Sequence, residues 1–108
     1  MRPMKFFIDT HNAHNHTFPA GISPDDFASF YAKFEEACRA EGVISLRAHV
    51  GFDKGRAFCF TMAPDADAVR RAHERVGLPF DDITEVATSA PSDISFLGAR
   101  QNKASITV

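Results

Sequence analysis

Between a Ser23-Pro24-Asp25-Asp26 start and a Gly77-Leu78-Pro79 stop, the chain reads helix, strand, hairpin, strand, helix. A strand-like run adjoins each end of that series. Ser23 can cap a helix, Pro24 suits the first helical position, and Asp25 and Asp26 favour the positive end of the dipole. Phe27, Phe30, Tyr31, Phe34 and Cys38 then recur at helical spacing, and Glu41-Gly42 closes the segment with Gly42 as a left-handed cap. Asp65 caps a second helix whose buried stripe is Val69, Ala72, His73 and Val76, and Gly77 with Pro79 stops it. Residues 43–52 and 56–63 read as strands joined by Asp53-Lys54-Gly55, where Gly55 takes the positive φ of a hairpin loop. Residues 4–11 and 83–88 supply the outer strands, so the order is βαββαβ.

That order has a well-known solution, the α+β ferredoxin-like fold. It is a four-stranded antiparallel sheet in the order 4-1-3-2 with both helices on one face. A length of 108 residues gives one core. Residues 1–88 form the domain, and residues 89–108 read as a tail that docks on its own subunit or on a partner.

Strand alternation sorts the two sheet faces. One carries Phe6, Ile8, Ile44, Leu46, Ala48, Val50, Phe58, Phe60 and Met62. The other carries Phe7, Asp9, His11, Ser45, Arg47, His49, Cys59 and Thr61. Pairing Phe52 with Arg56 sets Val50 opposite Phe58 and His49 opposite Cys59. The apolar set is expected under the helices and the mixed polar set on the open face. A second copy covering that open face makes a homodimer of the dimeric α/β-barrel type, with an enclosed cavity.

Bulk properties exclude several classes of function. A net charge of −2 provides no field for nucleic acid. No run of ~18 apolar residues occurs to span a membrane. The start, MRPMKFFIDTH, reaches charge too early for a signal peptide, and two cysteines make no disulfide framework, so a cytoplasmic protein is expected. Gly-rich phosphate loops, nucleophile elbows and CxxC pairs are absent, so no catalytic motif is recognised.

The residues that can carry chemistry are histidines and a cysteine. His11, His14 and His16 crowd one loop, and neutral imidazole is a common ligand for zinc, copper and nickel. The same three side chains are also compatible with a merely polar loop. Cys59 opposite His49 would bring a thiol and an imidazole within about 5.5 Å, close enough to share an ion. Cys59 read alone is a small buried apolar residue, as is Cys38. His73 reads first as a core histidine. Because helix two runs back from the end of strand three, His73 is placed near the start of strand one, away from His11. The two would then lie at separate sites or meet across a dimer.

Three stretches, F-I-D-T-H, R-A-F-C-F and A-P-D-A-D-A-V-R-R-A-H-E-R-V-G with D-D-I-T-E-V, resemble a family of small bacterial nickel-binding proteins long grouped as a domain of unknown function. The resemblance covers roughly residues 4–88. It implies a ferredoxin-like homodimer and points to His11, Cys59 and His73 as the positions matching histidine or cysteine in the family pattern. The loop holding His14 and His16 and the segment after Thr88 depart from that pattern.

The expected function is therefore binding of a divalent transition metal, nickel by resemblance or else zinc or copper. Ligands are drawn from His11, His49, Cys59, His73, His14 and His16, with Asp9 supporting them from the second rank. The alternative is a small-molecule-binding protein or cofactor-free enzyme that uses the polar sheet face as a cavity, with His49 or Asp9 as general base.

Overall fold

The computed structural model describes residues 3–88. Four strands, β1 (Lys5–Asn12), β2 (Ile44–Gly51), β3 (Arg56–Ala63) and β4 (Asp82–Val86), and two helices, α1 (Pro24–Ala40) and α2 (Ala66–Arg75), follow the expected order. The sheet is antiparallel in the order β2-β3-β1-β4, which is the ferredoxin-like arrangement. The docking expected of the segment after Thr88 lies outside the described residues.

Both helices start and stop where local chemistry dictates. The Ser23 side chain accepts from the Asp26 N–H, Pro24 opens α1, and the backbone N–H of Glu41 closes it. Asp65 accepts from the Ala68 N–H at the start of α2. Gly42 and Gly77 follow the two helices at φ 74 and 64. Glu41 then receives Arg71 Nε at 2.9 Å and Arg75 Nε at 2.6 Å, tying the end of α1 to the exposed side of α2.

In β1 and β3 the faces are the reverse of the expectation, whereas Ala48 and Val50 of β2 lie on the helix side and Arg47 and His49 on the other, as expected. Phe7, Asp9 and His11 of β1, with Ala57, Cys59, Thr61 and Ala63 of β3, are the buried residues beneath the helices. They pack with Phe34 and Cys38 of α1 and Ala68, Val69 and Ala72 of α2. Phe6, Ile8, Phe58, Phe60 and Met62 lie half-buried on the face opposite α1 and α2, which no helix among the described residues covers. Phe6 and Phe60 stack there at 5.6 Å, and the Arg56 guanidinium sits 5.0 Å from the Phe58 ring. The helices supply most of the large side chains of the core, so the strand positions beneath them are, apart from Phe7, small or polar, and the strands' other large residues face outward.

Strand β2 corrects the register as well. Gly51, not Phe52, pairs with Arg56, and an irregularity between Ser45 and Arg47 inserts one extra residue at Leu46. Ala48 is opposite Cys59, and His49 is opposite Phe58 on the uncovered face. The expected Cys59–His49 pair therefore does not exist.

The β2–β3 loop is seated on the loop after β1. Gly55 is buried at φ 64, its carbonyl accepts from the Ala13 N–H at 2.8 Å, and a Cβ there would stand 2.8 Å from the Ala13 Cβ. Both the backbone conformation and the space exclude a side chain. Gly55→Ala is expected to lower unfolding free energy by about 2 kcal/mol, as read by urea denaturation. An unchanged midpoint would mean that this seam is not formed.

Candidate metal site

Asp9 and His11, two residues apart on β1, point to the same side of the sheet, and α2 lays His73 over them. His11 Nε2 lies 2.7 Å and His73 Nε2 3.1 Å from the same Asp9 oxygen, Oδ1. The two imidazoles stack with centroids 5.5 Å apart. All three side chains are buried, Asp9 and His73 at 0% exposure. Phe34 and Phe80 pack on the His73 ring at 4.7 and 5.1 Å and close the site with hydrocarbon.

The expectation that His73 and His11 could not meet within one chain is thus overturned. From Ala66 to His73 the helix advances roughly 10 Å, and from Lys5 to Asp9 the strand advances roughly 13 Å. Helix α2 runs alongside β1 in the same direction, so its last turns arrive at the middle of the strand and not at its start.

The other nitrogen of each ring identifies the proton. His11 Nδ1 is 2.8 Å from the Pro79 carbonyl and 3.2 Å from that of Thr17, and His73 Nδ1 is 2.8 Å from the Val69 carbonyl. Carbonyl oxygens only accept, so both Nδ1 atoms carry hydrogen. In the neutral rings both Nε2 lone pairs would face a carboxylate oxygen, and three acceptors would converge. Protons or a cation must fill that point. Asp9 Oδ2 is also buried with no hydrogen-bond partner among the described residues, and so is Thr61 Oγ1.

Electrostatics follow from this geometry. Burial pushes the Asp9 carboxyl upward, but hydrogen bonds and charge from His11 and His73 outweigh it and hold its pKa below the ordinary value. Burial likewise opposes charge on His11, but the Asp9 hydrogen bond and charge prevail and raise its pKa. Cys59, paired with Asp9 across β1 and β3, has its thiol pushed well up by burial and by the adjacent carboxylate. Burial raises Cys38 to about 12. Neither thiol is a ready nucleophile.

The remaining sequence candidates fall elsewhere. His14 and His16 are exposed on the loop after β1, and His49 is exposed on the uncovered sheet face. Among the described residues, Asp9, His11 and His73 are the group whose ligand atoms converge, all within 4.8 Å. Asp9 is at the centre of the cluster and not behind it. His49 lies opposite Phe58 on the other side of the sheet from the cluster and Asp9 has no exposure, so the two general-base candidates of the alternative reading do not share one cavity.

The chemistry of the three side chains fits a transition metal. Metal-bound histidines usually donate the second ring N–H to a carbonyl, as both do here. Ligands sharing an ion at about 2.0–2.1 Å stand about 2.9–3.4 Å from one another, close to the observed 2.7 and 3.1 Å. The orphaned Asp9 Oδ2 offers a further donor.

Sequence comparison agrees with the fold. A family model described as nickel responsive protein SCO4226-like matches residues 8–86. The crystal structure of SCO4226 from Streptomyces coelicolor A3(2) is 30% identical, covers 79% of this chain and 99% of its own, and superposes with a TM-score of 0.68. No curated protein matches.

Proposed function

We propose that this chain, which belongs to the family of SCO4226-like nickel-responsive proteins, binds one divalent transition metal through Asp9, His11 and His73. The observation that carries this reading is the pair of Nε2 atoms directed at one carboxylate oxygen while both Nδ1–H groups are held by carbonyls. The family description, nickel responsive, supports nickel as the ion. Imidazole and carboxylate ligands also suit zinc and copper, and affinity order alone favours copper. Sequestration or delivery of the ion in the cytoplasm is the proposed role, and two buried, unpaired thiols suit a reducing compartment.

Calorimetric titration of untagged protein with Ni²⁺ tests this. One ion per chain is expected, with affinity kept in a His14→Ala/His16→Ala/His49→Ala variant. Loss of binding in that variant would move the site to the surface histidines.

The proposed protein is a homodimer joined through the uncovered sheet face. Phe6, Ile8, Phe58, Phe60 and Met62, with exposed Ile44 and Leu46 beside them, make that face apolar, and a second copy would bury it. Phe60→Glu is expected to halve the mass seen by sedimentation equilibrium. Retention of the dimer in this variant would contradict pairing through this face.

A further inference from the structure

A cavity of about 440 Å³ opens between α1, the loop after β1 and the turn before β4. Phe18, Phe27, Phe30, Tyr31 and Phe34 form its walls, with Ile22, Leu78 and Pro79 at the sides, and His11, Ala57 and Cys59 reach its floor. The rings are ordered against one another: Phe18–Phe27 at 6.4 Å, Phe27–Tyr31 at 5.9 Å and Tyr31–Phe34 at 6.1 Å. Among the described residues no Lys, Arg, Asp or Glu lines the space, and its imidazoles are His11 and the exposed His16. Tyr31 is anchored by a hydrogen bond with Ser45, so one wall is fixed to β2.

We infer that this cavity is a binding site for a small neutral aromatic molecule of two fused or linked rings. A cavity of about 150 Å³ accepts one benzene ring, so the space here admits two with room to orient. Aromatic walls favour a ring partner through stacked and edge contacts. A charged ligand would lose its water without meeting an unpaired opposite charge, since any charge on His11 is already met by the Asp9 carboxylate and His16, the other imidazole of the lining, is exposed to solvent. The lining is chiefly hydrocarbon and aromatic, so the ligand is chiefly apolar. This site does not rest on the proposed ion: His11 touches both, but it meets the cavity at the floor and the carboxylate behind it. A bound molecule would cover His11 and shield the buried cluster from water.

The test is a fluorescence titration of the metal-free, full-length protein with N-phenyl-1-naphthylamine, a neutral two-ring probe. One probe per chain with micromolar affinity is expected, displaced by 2-naphthol and not by the 2-naphthoate anion. Ile22→Trp and Leu78→Trp, which fill the cavity from its sides, should each weaken the probe about tenfold or more with an unchanged circular dichroism spectrum. If one of them fails to fold, the other decides. Phe60→Glu, on the uncovered sheet face, should leave affinity within about twofold. Absence of saturable binding, equal displacement by the anion, or sensitivity to Phe60 in place of Ile22 and Leu78 would each overturn the inference. Metal titration of the same samples reads the ion site separately, so either can fail alone.

Discussion

His73→Gln weakens Ni²⁺ or Zn²⁺ binding by about 100-fold or more, about 3 kcal/mol, in competition with a chromophoric chelator, whereas His49→Ala changes it less than about twofold. His73 contributes one of two imidazole nitrogens, and its Nδ1–H is already directed to Val69 O, so the ring is oriented before any ion arrives. Glutamine keeps bulk and polarity but presents no imidazole lone pair. His49 lies opposite Phe58 on the far side of the sheet. Equal losses from the two substitutions would mean that ions bind nonspecifically to exposed histidines. No loss from His73→Gln would exclude the buried cluster.

Asp9→Ala lowers the unfolding free energy of the metal-free protein by about 3–5 kcal/mol at about pH 6, measured by urea denaturation. That is a large share of the roughly 5–15 kcal/mol that holds a domain of this size together. The loss arises because both Nε2 atoms are left buried with no anion between them. The sign of the pH dependence follows from the two shifts. His11 has a folded pKa above its ordinary value, so its stabilisation is complete below about pH 6.5 and fades as pH rises through the raised value. Asp9 has a lowered pKa, so its contribution is present above about pH 4 and is lost as pH falls through the lowered value. Metal-free wild type should therefore lose stability as pH rises from about 6.5 through the raised His11 value. The Ni²⁺-loaded protein should gain, because protons and metal compete for the same lone pairs. Parallel melting curves for the two forms across that range would mean that the ion does not displace those protons.

Helix boundaries and strand order were readable because their determinants are local: Ser23, Asp65, Gly42 and Gly77 act through neighbouring backbone, and the hairpin glycine needs only its own φ. Which sheet face the helices cover was not readable from alternation. Both faces of β1 and β3 carry apolar residues, and the choice depends on what α1 and α2 bring to the interface. Phe34, Val69 and Ala72 already fill it, leaving room for Ala57, Cys59 and a hydrogen-bonded Asp9. The extra residue at Leu46 reversed the parity of β2, and nothing in ISLRAHVG marks it. Asp9 and His11 were legible as neighbours on one side of a strand. His73 joined them only through the length of α2, which simple rise-per-residue arithmetic could have supplied.

X-ray absorption at the nickel edge on protein loaded with one equivalent of Ni²⁺, compared between wild type and Asp9→Asn, tests the buried site most directly. Scattering from two imidazoles, with an oxygen neighbour whose signal changes in Asp9→Asn, is the expected result. A spectrum indifferent to Asp9→Asn, or one that changes only when His14, His16 and His49 are replaced, would contradict it.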